Sequence, residues 1–99
     1  MMNIVKNKNG DRLEFILEGS LDTITAPELD IEVKDSLDGV KELIFDLKKL
    51  DYVSSSGLRV FLSAQKIMNK QGSMKILNSN EMVMEIFEVT GFIDILNVE

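Results

Sequence analysis

Residues 53 to 59 read V-S-S-S-G-L-R, three consecutive hydroxyls and a glycine set between apolar neighbours. A serine hydroxyl becomes a nucleophile only with a base beside it, usually histidine, and the chain contains no histidine. The triplet does not stand in a G-x-S-x-G frame, so an ordinary hydrolase or transferase is not expected. With no cysteine, disulfides and thiolate metal ligation are excluded, and a reducing cytoplasm is allowed. Neither G-x-x-x-x-G-K-[ST] nor G-x-G-x-x-G occurs, so a nucleotide handled here would have to be held largely by a partner. No catalytic residue, metal or cofactor is therefore expected.

Two uses of the serines remain open on the residues alone. Serine is a favoured helix N-cap, and its oxygen then satisfies one of the orphan amides of the first turn. One serine suffices for that. The surplus hydroxyls, with the slim Gly57 beside them, suggest a site that something approaches closely, either a phosphate at a helix N-terminus or a phosphorylated serine. Arg59 falls in the first turn, where the helix dipole disfavours a cation but a bound anion would favour it.

The elements that must position these residues follow from apolar periodicity. Ile4 and Val5, then Asn7 to Gly10, then Leu13, Phe15 and Leu17 at alternate positions, predict a β-hairpin about an Asn-Gly turn. Thr25 and Glu28 have capping-box spacing with Pro27 in the first turn, and Leu29, Val33, Leu37 and Val40 continue as one stripe to Asp38-Gly39. A strand over Val40 to Leu47 comes next, with Lys48-Lys49 as a solvated strand end and an exit loop that includes Asp51. Leu58, Phe61, Leu62, Gln65 and Met68 give a helix ending near Gln71-Gly72, so Ser54 to Gly57 lie at its N-terminus. Met74, Ile76 and Leu77 predict another strand. Asn78 and Glu81 repeat the capping-box spacing before a helix carrying Met82, Ile86, Phe87 and Val89, closed by Gly91, and Phe92 to Leu96 form a terminal apolar segment. Met68 and Met74 are assigned to the core, and Met84 is read as a core or incidental position in preference to a partner surface.

This order, β-β-α-β-α-β-α, predicts an α/β fold with a mixed sheet and about three to four helices. The 99 residues, 44% of them hydrophobic, suit one domain spanning 1–99 with one core. Eleven basic against 17 acidic residues leave a net charge of −6, which repels nucleic-acid phosphates and anionic lipid. The opening M-M-N-I-V-K-N-K-N-G lacks the apolar core of a signal peptide, and no stretch nears the ~20 apolar residues of a membrane span. A cytoplasmic protein with neither nucleic-acid nor membrane partners is expected, and nothing demands more than a monomer.

Three separated segments carry a family resemblance. Gly19-Ser20-Leu21-Asp22 with Ala26 and Leu29 is similar to G-x-L-D-x-x-x-A-x-x-L, Leu47 to Leu58 resembles a strand, loop and serine motif, and Phe87 to Phe92 resembles F-x-x-T-G-[LF]. Together they span nearly the whole chain in the order of a STAS domain, and most resemble the stand-alone bacterial anti-sigma factor antagonists. The resemblance implies a partner-switching protein that is not itself an enzyme. It implies that the unphosphorylated form binds an anti-sigma factor, itself a serine protein kinase, and frees a sigma factor. Phosphorylation at the position matching Ser55 would block binding, and a phosphatase would restore it. Asp22, Ser54, Ser55, Ser56, Gly57 and Arg59 are then the expected partner-binding residues. Ser54 stands where the family often has aspartate and brings no charge to that position. The alternative is a STAS interaction module that works without phosphorylation.

Overall fold

A computed structural model describes residues 2–99. Four strands form one sheet in the order β1-β2-β3-β4: β1 (Met2–Asn9), β2 (Arg12–Leu21), β3 (Glu42–Val53) and β4 (Ser73–Leu77). β1 and β2 are antiparallel, whereas β2–β3 and β3–β4 are parallel. Helices α1 (Ala26–Ser36) and α2 (Ser55–Gln71) make the two crossovers, and α3 (Glu81–Thr90) follows β4 with a short 3-10 turn over Phe92–Asp94. The expected mixed sheet and hairpin are present, with three α-helices. The chain end extends the pattern, since the Ile76 N–H donates to the Asn97 carbonyl and the Glu99 N–H donates to that of Ile76, forming a bridge at Val98.

Alternation along the strands selects the face that is buried. Leu13, Phe15 and Leu17 of β2, Leu43, Phe45 and Leu47 of β3, and Met74 and Ile76 of β4 are all buried and belong to one core cluster. Four phenylalanines run through it from sheet to helices. Phe15 stacks on Phe45 at 5.6 Å, Phe45 meets Phe61 of α2 edge-on at 5.0 Å, and Phe61 lies 6.2 Å from Phe87 of α3. Aromatic pairs at such separations add to simple area burial, so this chain ties all three later elements to β2.

Several local expectations are corrected. The hairpin loop is Gly10-Asp11, because Asn9 still pairs with Arg12, and Gly10 takes the left-handed conformation at φ 64°. The segment 48–53 is no exit loop but the second half of the twelve-residue β3. Two register irregularities, between Ile16/Glu18 and between Gly19/Ser20 of β2, insert extra residues into β3. A bulge offsets side-chain alternation locally, and here it yields buried Leu47, Leu50 and Val53 at intervals of three. The intervening Lys48, Lys49, Asp51 and Tyr52 are exposed. In α3 the buried pair is Val83 and Phe87, while Met82 and Val89 face solvent and Met84 is half-buried. Asn80, not Asn78, caps that helix, its side chain accepting from the Val83 N–H at 2.8 Å.

Candidate functional site

The serine segment sits where β3 ends and α2 begins. The Ser54 N–H donates to the Leu21 carbonyl at 2.8 Å, which ties the end of β3 to that of β2. Ser54 is extended (φ −86°, ψ 174°), and its Oγ accepts from the Gly57 N–H at 3.3 Å while its carbonyl accepts from the Leu58 N–H. It is the N-cap of α2 and it is buried. Ser55 is the first helical residue and is exposed, and Ser56 is half-buried. The three hydroxyls are thus unequal: the first is committed to the cap, and the second is offered to solvent.

Gly57 is explained from inside the protein, not from outside. It is buried, and a β-carbon built on it would lie 2.7 Å from Leu21 Cγ and 2.9 Å from Leu21 Cδ2. The close approach that a slim residue permits is therefore that of Leu21, a core residue with no exposure. The first turn of α2 packs directly on the end of β2, which fixes the direction in which Ser55 points.

Asp22 follows Leu21 and closes a second capping arrangement. Its Oδ1 accepts from the backbone N–H groups of Ile24 (2.9 Å) and Thr25 (3.0 Å), while Thr25 Oγ1 accepts from the Asp22 N–H at 2.9 Å. The Ala26 N–H donates to the Asp22 carbonyl, so helical hydrogen bonding begins one turn ahead of the predicted start. The capping box is Asp22/Thr25 and not Thr25/Glu28: Thr25 is itself in a helical conformation, and its hydroxyl donates to the Ser20 carbonyl at 2.8 Å. The Thr25 N–H is the largest influence on the Asp22 carboxyl; desolvation opposes it, but the Ile24 N–H and the Thr25 hydroxyl add to it, and together they hold the carboxyl below the ordinary aspartate value of 3.8. Asp22 is ionised at neutral pH and shapes the loop beside the serines.

These elements meet at the carboxyl ends of the parallel strands, the edge at which open α/β sheets usually place binding sites. Asn80, at the start of α3, joins the same end by donating its side-chain N–H to the Leu50 carbonyl at 3.0 Å. Ile24 is 85% exposed in the 22–25 loop, Met82 57% exposed in the first turn of α3, and Tyr52 43% exposed opposite Ser20. Met82, expected on the apolar side of its helix, instead faces solvent here, and apolar periodicity alone gives neither Tyr52 nor Ile24 a place at this surface. Ile24 carried a signal, an isoleucine between two threonines that no helical or strand stripe requires. Beside Ser56, a groove of about 480 Å³ between α1 and α2 is lined by Ala26, Pro27, Asp30, Lys34, Arg59 and Val60, among others. Among the described residues no cluster of side chains has the makings of a metal site, and no helix is long and apolar enough to cross a membrane.

The family model of the STAS domain matches residues 3–99. An Anti-sigma-B factor antagonist of Bacillus subtilis is 30% identical over 98 residues, covering 98% of this chain and 90% of the relative. A Bordetella bronchiseptica protein provisionally named as the anti-sigma factor antagonist BtrV is 33% identical over 99 residues, covering 98% of this chain and 85% of the relative. The fold also matches a crystal structure of an anti-sigma factor antagonist from Mycobacterium paratuberculosis (TM-score 0.89, 16% identity, covering 99% of this chain and 85% of that one). The Bacillus cell fate determinant SpoIIAA, solved in its phosphorylated form, matches with TM-score 0.77 and 16% identity, covering 98% and 91%. The chain belongs to the STAS domain family and, within it, is a relative of the anti-sigma factor antagonists.

Proposed function

We propose that this protein is an anti-sigma factor antagonist whose unphosphorylated form binds an anti-sigma factor and so frees a sigma factor. The observation that carries the reading is the division of labour among the serines: Ser54 is buried as the cap of α2, while Ser55 stands exposed one residue later. In this reading the anti-sigma factor is also a serine kinase. The Ser55 Oγ attacks the γ-phosphorus of ATP, ADP leaves, the hydroxyl proton is released, and a phosphatase later hydrolyses the ester. The protein supplies the acceptor and the docking face and has no catalytic activity of its own. It works as a single cytoplasmic domain over 1–99, as a monomer, with no direct contact to nucleic acid or membrane.

The docking face comprises Asp22, Ser54, Ser55, Ser56, Gly57 and Arg59, bordered by Ile24, Tyr52 and Met82. Ser54 and Gly57 serve it from below, through the cap and the packing on Leu21, and Asp22 serves it by fixing the loop that presents Ile24. A phosphoryl group adds about −1.5 to −2 charges at neutral pH, on a chain already at −6. Desolvating that group in an apolar interface at a cost of about 3 kcal/mol weakens binding by roughly a hundredfold. No refolding is needed for the modification, because Ser55 is already exposed in the unmodified protein.

The test is intact-mass spectrometry after incubation with ATP and the kinase-like anti-sigma factor encoded nearest to this protein, paired with calorimetric binding. One added phosphate mapped to Ser55, absent in Ser55→Ala, and binding lost in the phosphorylated form are expected. Stable complex formation without phosphate transfer would overturn the kinase step and leave an interaction module that works by binding alone.

A further inference from the structure

The two arginines of the chain are used differently. Arg12 holds Glu42 at 3.0 Å, whereas Arg59 is exposed and makes no ion pair or side-chain hydrogen bond among the described residues. The acidic groups nearby do not neutralise it. Asp30, which lines the same groove, is taken by Lys34 at 3.0 Å, and the Asp22 carboxylate is occupied by the backbone of its own loop. The first turn of α2 contains no acidic residue. Arg59, the fifth residue of α2, therefore has no acidic partner among the described residues of the unmodified protein.

Its spacing gives it a partner once Ser55 is modified. Ser55 and Arg59 are four apart on one helix, with the acceptor on the N-terminal side, which is the favoured orientation for an anion–cation pair. The planar guanidinium also presents two parallel donors that match two phosphoryl oxygens. We infer that Arg59 is a built-in clamp for a phosphoryl group on Ser55, folding it down along α2 and holding it as the dianion. This rests on the proposed modification of Ser55 and adds what that reading lacks, a reason for the phosphorylated form to adopt one defined and long-lived state. It also assigns Arg59 a second duty, since a guanidinium engaged by its own phosphate is withdrawn from the docking face.

The experiment places phosphoserine at position 55 of the full chain by genetic incorporation, so that no kinase is required, and follows the phosphorus-31 shift against pH. A nearby cation favours the dianion, so the second ionisation must lie lower with Arg59 present than in Arg59→Gln. A difference of at least about 0.3 pH units is expected, with Arg59→Lys in between because it keeps the charge without the fork. The helix dipole is common to all three proteins and cancels in the comparison. Titration midpoints that agree within about 0.1 unit for all three would refute the clamp. Because the phosphate is installed without the kinase, a failed clamp leaves the proposed switch standing. A kinase that never modifies Ser55 would overturn the proposed modification, and with it the clamp's use in the switch, without changing the contact read on the installed phosphoserine.

Discussion

Replacing Gly57 by alanine tests whether the serine site is held by the core beneath it. Alanine is better than glycine in a helix by about 1 kcal/mol, so secondary structure alone predicts a more stable protein. Packing predicts the reverse. The added carbon would sit 2.7 Å from Leu21 Cγ, 2.9 Å from its Cδ2 and 3.1 Å from its carbonyl oxygen. Leu21 has no exposed surface into which to retreat, and that carbonyl is the acceptor for the Ser54 N–H. Overpacking of a filled core costs about 1–3 kcal/mol, so after the helix gain of about 1 kcal/mol the net expectation for Gly57→Ala is a loss of about 0–2 kcal/mol, centred near 1. For a domain of this size each kcal/mol corresponds to about 4–8 °C in Tm. Urea unfolding of Gly57→Ala, Leu21→Ala and the double variant separates the two contributions. Leu21→Ala alone costs about 2–5 kcal/mol through its cavity, but it also removes both side-chain atoms that the new methyl meets. The double variant should therefore be more stable than the sum of the singles predicts, by at least about 1 kcal/mol. A stabilised Gly57→Ala, or singles that add within about 0.5 kcal/mol, would show that helix α2 does not rest on Leu21 as described.

Two further expectations concern the caps that frame the site. Ser54→Ala removes the acceptor of the Gly57 N–H and should cost about 1 kcal/mol in urea unfolding, whereas Ser54→Asp, an equally good cap, should retain stability. Asp22→Ala should lower Tm at pH 7. Because the folded protein depresses the Asp22 pKa, its stabilisation is fully present above the ordinary value of 3.8 and is lost as pH falls through the lower folded value. The Tm gap between Asp22→Ala and the parent should accordingly narrow below pH 3.8 in thermal scans followed by circular dichroism. A gap that stays constant with pH would mean that the carboxylate charge does not matter to the loop.

Much of this protein is written in local sequence. Alternation in Leu13, Phe15 and Leu17 and helical spacing in Leu58, Phe61, Gln65 and Met68 identify their elements, because solvent exposure imposes a period of two on a half-buried strand and 3.6 on a helix. The order of those elements restricts the topology to a mixed sheet, and the chain offers neither an imidazole nor a thiol. The serine triplet before an apolar helical stripe places three hydroxyls at a helix start. What sequence could not supply were features arising from contacts between distant segments. The bulged half of β3 reads as a loop, since its buried residues Leu47, Leu50 and Val53 follow no single period and only pairing with β2 explains the interval. Two caps lie elsewhere than local spacing predicts for a related reason: Thr25 and Glu28 have the right spacing, but the turn after β2 brings Asp22 onto Thr25 first, and Asn80 rather than Asn78 starts α3. Which serine is offered to solvent was likewise decided by tertiary structure, because the hydrogen bond from Ser54 to Leu21 and the packing of Gly57 on the same residue turn Ser54 inward and Ser55 outward.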